Sequence, residues 1–205
     1  MKILLVDDHG VVREGLRRLL SIHFNATIFD AADVESALEI YKRDWPDVIV
    51  LDLNLEGTGG LEMLRRVLAT DDNAKIIIFS MHHEPVYAVR ALRSGARGYI
   101  SKSAPVDELI TGIRKVADGG QYIDRDLASR IAVSQISTDD PLKSLSIREI
   151  EILRLLGQGK SMTTISENLG IAYKTVANIC TQMKVKLGVD RTADLIRLAV
   201  ETLKT

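Results

Sequence analysis

The sequence has 205 residues, 46% of them hydrophobic, 27% charged and only 4% aromatic, with a net charge of −1. At about 150 residues per domain this length predicts one large domain or two modest ones, and the composition excludes disordered, collagen-like and disulfide-rich classes. Near-neutrality excludes a chain that is a polycation throughout, and the single cysteine, Cys180, can neither close an intramolecular disulfide nor supply a cysteine-rich zinc site, which predicts a reducing, cytoplasmic setting.

The predicted elements alternate through the first 120 or so residues. Ile3–Val6, Val48–Leu51 and Ile76–Phe79 are short apolar runs bounded by turn residues, the pattern of strands buried on both faces. The first of them is too short for a signal-peptide core, and no run approaches the roughly 18 residues of a membrane span. Weaker strands are expected at Thr27–Phe29 and Gly98–Ile100. Between the strands, apolar residues recur at helical spacing: Val12, Leu16, Leu19 and Leu20, then Leu61, Leu64 and Leu68, then Leu109, Ile113, Val116 and Ala117. Such alternation dictates an α/β fold, a doubly wound five-stranded parallel sheet with right-handed crossovers.

This domain is expected to span residues 1–122. Residues 123–141 read as a linker with one helix, Asp126 to Ile136, closed by the polar run Ser137-Thr138-Asp139-Asp140-Pro141. From 142 to 205 every periodic segment is helical, so a small all-α helix-turn-helix domain is expected. The charge divides with the domains: residues 1–141 carry −5 and residues 142–205 carry +4.

An open parallel sheet binds ligands beyond the carboxyl ends of its strands. There the sequence places Asp7 and Asp8, Asp52, Ser80 and Lys102. Singly, each aspartate reads as a helix N-cap. Together, three carboxylates in one crevice repel and require a cation; all-oxygen ligation suits Mg2+, with Lys102 as a second positive charge. Such a site accepts a phosphoryl group on a carboxylate, because transfer depends on in-line positioning and charge neutralisation. Asp52, between a strand and the loop Gly57 to Gly60, is the expected phosphoacceptor. Asp7, Asp8, Asp52 and the Asn54 backbone carbonyl are the expected metal ligands. His9 is expected near the metal without binding it, and His82 and His83 as solvated loop residues.

At Leu5-Val6-Asp7-Asp8-His9, Leu51-Asp52-Leu53-Asn54-Leu55, Gly95-Ala96-Arg97-Gly98-Tyr99 and Lys102 the chain resembles the receiver (flavodoxin-like) domains of NarL/FixJ-type two-component response regulators. The resemblance implies that Asp52 receives its phosphoryl group from a sensor histidine kinase, with Ser80 and Lys102 on the transferred oxygens. Glu56 and Gly59 depart from the family pattern, where proline and aspartate are frequent. Tyr99 reads either as a half-buried aromatic of an edge strand or as a switch that fills the space left when Ser80 moves inward; the resemblance favours the switch.

In the basic half, Leu145, Ile150, Leu153 and Leu156 form one stripe ended by Gly157 and Gly159. Ser161 is placed to cap a second helix bearing Ile165 and Leu169, and Gly170 supplies a left-handed turn. A third helix buries Val176, Cys180, Met183 and Leu187 and presents Lys174, Asn178 and Thr181. Leu145-Ser146-Ile147-Arg148-Glu149, Gly159-Lys160-Ser161, Thr175-Val176 and Lys186-Leu187-Gly188-Val189 resemble the LuxR-type DNA-binding domain, which implies that this helix reads double-stranded DNA. Lys160, Lys174, Lys184, Lys186 and Arg191 are the expected phosphate contacts; Thr175, Asn178, Thr181 and Gln182 complete the DNA-facing set. Ala172 lacks the usual capping hydroxyl, and Ala177 and Ile179 replace a frequent lysine and histidine, so modest, weakly salt-sensitive binding is expected. Leu195, Leu198 and Ala199 in the last helix are the expected homodimer contacts, engaged on phosphorylation. Two alternatives stand beside this reading: a phosphatase with an aspartyl nucleophile, and an interaction module whose helical half has lost DNA binding.

Overall fold

The computed structural model describes residues 1–55, 59–136 and 141–203, and the chain forms two compact units, Met1–Ile136 and Ser137–Thr205. Glu56 and Gly57, and the linker run Ser137 to Asp140, lie outside the described residues. Among the described residues, no helix is long and apolar enough to cross a membrane.

In the first unit, β1 (Lys2–Val6), β2 (Thr27–Ala31), β3 (Val48–Leu51), β4 (Ile76–Ser80), β5 (Gly98–Ser101) and β6 (Tyr122–Ile123) form one sheet in the order β2-β1-β3-β4-β5-β6. Every pairing is parallel. The crossovers are α1 (Gly10–His23), α2 (Val34–Asp44), α3 (Gly60–Thr70), α4 (Pro85–Arg93) and α5 (Val106–Ala117). Ile3 to Val6 and Val48 to Leu51 are all buried, which is why these strands read as continuous apolar runs rather than alternating ones. Ile3, Leu5, Val48, Val50, Ile77 and Ile100 pack on one face with Leu16 and Leu20 of α1 and Leu109, Ile113 and Val116 of α5. Each such side chain contributes about 1.5–3 kcal/mol by burial. Successive strands leave β1 on opposite sides, to β2 and then to β3, so the ligand crevice opens beyond the ends of β1 and β3.

The sheet has six strands where the sequence predicts five. After the turn at Gly119, whose φ is 87°, Tyr122 and Ile123 pair with Gly98 and Tyr99. Two residues show no readable period, so the sequence gives no sign of them. The sheet edge is therefore β6, and Tyr99 lies inside. The helix expected in the linker, α6 (Arg125–Ile136), is anchored in the first unit. Buried Asp124 accepts the Leu127 and Ser101 N–H groups, both at 2.9 Å; Leu127 and Ile131 are buried, and Arg130 donates to the His83 carbonyl at 2.9 Å.

The second unit follows a 3₁₀ turn (Pro141–Ser144) with α7 (Ile147–Gly157), α8 (Met162–Asn168), α9 (Tyr173–Leu187) and α10 (Thr192–Thr202). Ser146 and Glu149 form a reciprocal capping box on α7, and Ser161 caps α8. Gly170 takes φ 59° before α9. Ala172, at the α9 N-cap, makes no side-chain cap bond, as its missing hydroxyl dictates.

Candidate functional site

The acceptor crevice is assembled by strand registry. The Asp52 N–H donates to the Val6 carbonyl at 2.8 Å, which sets the ends of β3 and β1 side by side. Asp7 and Asp52 are 2% and 3% exposed. The Asn54 N–H donates to Asp52 Oδ1 at 3.2 Å, turning the chain over the acceptor. Gly60 makes that turn possible: a Cβ there would overlap the Asp52 carbonyl oxygen, while its own N–H donates to the Leu53 carbonyl at 3.0 Å.

Lys102 enters from the turn after β5, where its N–H donates to the Ser80 carbonyl at 2.8 Å. Its ammonium donates to Asp7 Oδ2 at 2.6 Å and to Asp52 Oδ2 at 2.7 Å. Burial raises the Asp52 carboxyl above its ordinary range; the Lys102 ammonium and the Asn54 N–H offset only part of this, and the Asp7 charge pushes the same way. Burial works against the Lys102 charge, yet the hydrogen bonds to Asp52 and Asp7 raise its pKa overall. Asp7, Asp8, Asp52 and His9 each offer a ligand atom, all within 4.8 Å of one another. His9 Nδ1 stands 2.6 Å from Asp8 Oδ1 and 3.2 Å from Asp7 Oδ1, which places its ring among the carboxylates rather than merely near them. Three carboxylates against one ammonium leave an excess negative charge, and their hard oxygens fit a divalent cation such as Mg2+.

Ser80 is fully buried at the end of β4, and its hydroxyl accepts the His82 N–H at 3.3 Å. Tyr99 is fully buried within the sheet rather than half-exposed at an edge; its hydroxyl donates to the His82 carbonyl at 2.8 Å, and burial pushes the phenol pKa well up. His82 itself is a correction. Expected in solvent, it is 6% exposed, with Nε2 3.0 Å from Asn54 Oδ1 and its ring stacked on Tyr87 at 4.2 Å. Only His83 is exposed. Two adjacent histidines look alike in sequence; strand phase and the position of α4 decide which turns inward.

On α9, Lys174, Thr175, Asn178, Thr181 and Gln182 are exposed, while Val176, Cys180 and Met183 face the core. Burial raises the Cys180 thiol pKa, which fits packing rather than chemistry. Lys160 is exposed, Lys184 is half-buried, and exposed Arg191 pairs with Asp194 at 3.3 Å. Lys186, an expected phosphate contact, is exposed, and its ammonium holds both carboxylate oxygens of buried Glu149 at 2.8 Å. The Ser-x-x-Glu spacing at Ser146 and Glu149 is the signal that marks Glu149 as structural.

Leu195 and Ala199 are likewise corrected. They are fully buried or nearly so, and a Cβ on Gly157 would come within 2.9 Å of the Ala199 Cβ, so Ala199 is the small residue that lets α10 touch α7. Leu198 is half-buried, and the large apolar residues that α10 exposes are Ile196 and Val200.

A buried aspartate-lysine crevice on a doubly wound sheet, followed by a helix-turn-helix unit, defines a receiver joined to a regulatory DNA-binding module. Comparison with known proteins agrees. Residues 3–114 match the response regulator receiver domain, and residues 143–199 match the bacterial regulatory proteins of the luxR family. Response regulator UvrY of Escherichia coli is 35% identical over 204 residues, covering 98% of this chain and 94% of that protein. The oxygen regulatory protein NreC of Staphylococcus carnosus is 34% identical over 211 residues, covering 98% and 97%. Among solved structures, a LuxR-family two-component response regulator from an Aurantimonas species is 38% identical with a TM-score of 0.64, over 66% of this chain and 98% of that one. RcsB of Salmonella enterica serovar Typhimurium, solved on promoter DNA with the phosphomimetic BeF3−, shares the fold at 21% identity, with a TM-score of 0.69 over 98% of each chain. The chain belongs to the NarL/FixJ-type response regulators and is a two-component transcription regulator rather than an enzyme.

Proposed function

We propose that Asp52 is the phosphoacceptor and that its charge state controls DNA binding by α9. A carboxylate oxygen of Asp52 attacks the phosphorus of a phosphohistidine on a sensor histidine kinase; the P–O bond forms as the P–N bond breaks, and the imidazole leaves. Asp7, Asp8, Asp52 and the Asn54 carbonyl would hold Mg2+, which supplies charge neutralisation at the transferred oxygens when bound. Lys102 is released from its bridge between Asp7 and Asp52 to pair with a phosphoryl oxygen, and the Ser80 hydroxyl turns to donate to another. The observation that carries this reading is the Lys102 ammonium on Asp7 and Asp52 together, a cation already lodged where the transferred charge arrives.

Ser80 and Tyr99 form the switch, because both meet at the His82 backbone. Phosphorylation then favours a homodimer, with the exposed Ile196 and Val200 as the apolar surface available on α10. Two copies place two α9 helices in successive major grooves, on half-sites about one helical turn apart; RcsB offers the precedent of a promoter complex with a phosphomimetic. Lys160, Lys174, Lys184 and Arg191 contact phosphates, while Thr175, Asn178, Thr181 and Gln182 face the bases. The protein acts in the cytoplasm, where its lone buried cysteine stays reduced. The test is intact-protein mass after acetyl phosphate and Mg2+: one phosphoryl increment in the wild type and none in Asp52→Asn supports the reading, and incorporation in both overturns it.

A further inference from the structure

His82 and His83 hold four elements together although neither belongs to the acidic cluster. On the acceptor side, the His82 N–H donates to Ser80 Oγ at 3.3 Å and its Nε2 lies 3.0 Å from Asn54 Oδ1. On the far side its ring stacks on Tyr87 of α4, and its carbonyl accepts the Tyr99 hydroxyl at 2.8 Å. The next carbonyl, that of His83, accepts Arg130 of α6 at 2.9 Å.

We propose that His82 is a positioning residue that ties the state of Asp52 to the seating of α6, so that a phosphoryl group on Asp52 loosens α6 by drawing the His82–His83 backbone away from Arg130. The inference rests on the reading of Asp52 as phosphoacceptor. Both anchors on the acceptor side are groups that a phosphoryl group disturbs. It brings up to about −2 of charge and three acceptor oxygens, so the Ser80 hydroxyl that turns toward it reorients away from the His82 N–H. The Asn54 N–H, now on Asp52 Oδ1, must also readjust. His82 is buried, so its ring follows these anchors rather than swinging into water, and the stack on Tyr87 makes α4 follow too. Packed contacts of this kind shift between discrete arrangements rather than deforming continuously.

The experiment uses the full chain with Mg2+ and acetyl phosphate, reading Asp52 occupancy by mass and amide exchange across Arg125–Ile136. In the wild type, phosphorylation raises exchange in this segment several-fold. His82→Phe keeps the aromatic stack but loses the Asn54 contact; it takes up the phosphoryl group, keeps the wild-type melting temperature and basal exchange, and shows less than half the rise. His82→Gln, whose amide can donate to Asn54 Oδ1, restores most of it. Arg130→Ala exchanges rapidly before phosphorylation and gains nothing after. A full rise in His82→Phe at equal Asp52 occupancy overturns the proposal, as does an unresponsive α6 in the phosphorylated wild type. Should His82→Phe fail to fold, slow basal exchange in Arg130→Ala overturns it instead. Absence of any Asp52 adduct in the wild type is a separate result, which removes the phosphoacceptor reading and the inference with it.

Discussion

Lys102 Nζ stands 2.7 Å from Asp52 Oδ2, with only 10% and 3% of the two side chains reaching solvent. At that depth, Lys102→Met leaves Asp7 and Asp52 facing each other without a cation. The variant is expected to melt lower than the wild type in EDTA and to gain more from added Mg2+ than the wild type does, because the metal then replaces the missing charge. Phosphoryl uptake from acetyl phosphate should slow by about a hundredfold, the scale of losing one preorganised electrostatic donor. Equal uptake rates in variant and wild type would show that Lys102 does not touch the transferred group.

The Glu149–Lys186 pair predicts a pH signature in the second unit. Burial raises the Glu149 carboxyl pKa, but Lys186 and the Ser146 N–H and hydroxyl outweigh it and hold the carboxyl below its ordinary value. The folded pKa is therefore depressed: the stabilisation is present at neutral pH and is lost as acidification passes through the ordinary glutamate range and below. Lys186→Ala, which leaves a buried carboxylate without its cation, should cost about 1–3 kcal/mol at neutral pH and flatten the acid limb. Far-UV circular dichroism melts of the full chain check this, with Trp45, the only tryptophan and part of the first unit, reporting that unit separately.

On the DNA face, Lys174→Ala should weaken binding to all sequences alike and reduce the salt slope by about 1. Asn178→Ala should relax discrimination at one A·T pair by about 1–3 kcal/mol. Lys186→Ala should leave the salt slope nearly unchanged, since its charge is engaged by Glu149. Salt titrations of promoter binding separate the three. A uniformly unchanged affinity would instead favour a helical unit that no longer binds DNA.

The last helix separates packing from association. Leu195→Ala should cost about 2–5 kcal/mol of stability through a core cavity. Val200→Lys, at a site 55% exposed, should leave the melt unchanged and lower the dimer fraction of the phosphorylated protein in sedimentation. A dimer fraction indifferent to Val200→Lys would place the self-association surface elsewhere.

The parts of this molecule legible in sequence are those with a repeating period or a fixed chemical type. Ile3 to Val6 and Val48 to Leu51 announce doubly buried strands, and Asp7, Asp52 and Lys102 converge because an open parallel sheet gathers its strand ends. What escapes is decided by tertiary context. Tyr122 and Ile123 become a strand only because β5 offers an open edge. Leu195 and Ala199 make an apolar stripe wide enough to suggest a partner, yet Gly157 lets α7 approach and cover it. Lys186 has the charge of a phosphate contact, and its pairing with Glu149, which the cap fixes in place, has no sign in the sequence. His82 and His83 differ only in which way the chain turns after β4.

Control of DNA binding turns on which side chain carries the phosphoryl group and on what that group does. The direct measurement is a parallel comparison of the wild type and Asp52→Asn, each incubated with Mg2+ and acetyl phosphate, for site-resolved phosphoryl mass and for retention of promoter DNA. An adduct on Asp52 with a matching rise in DNA retention, both absent from Asp52→Asn, is the predicted result. An adduct on another residue, or DNA retention that ignores the adduct, would contradict it.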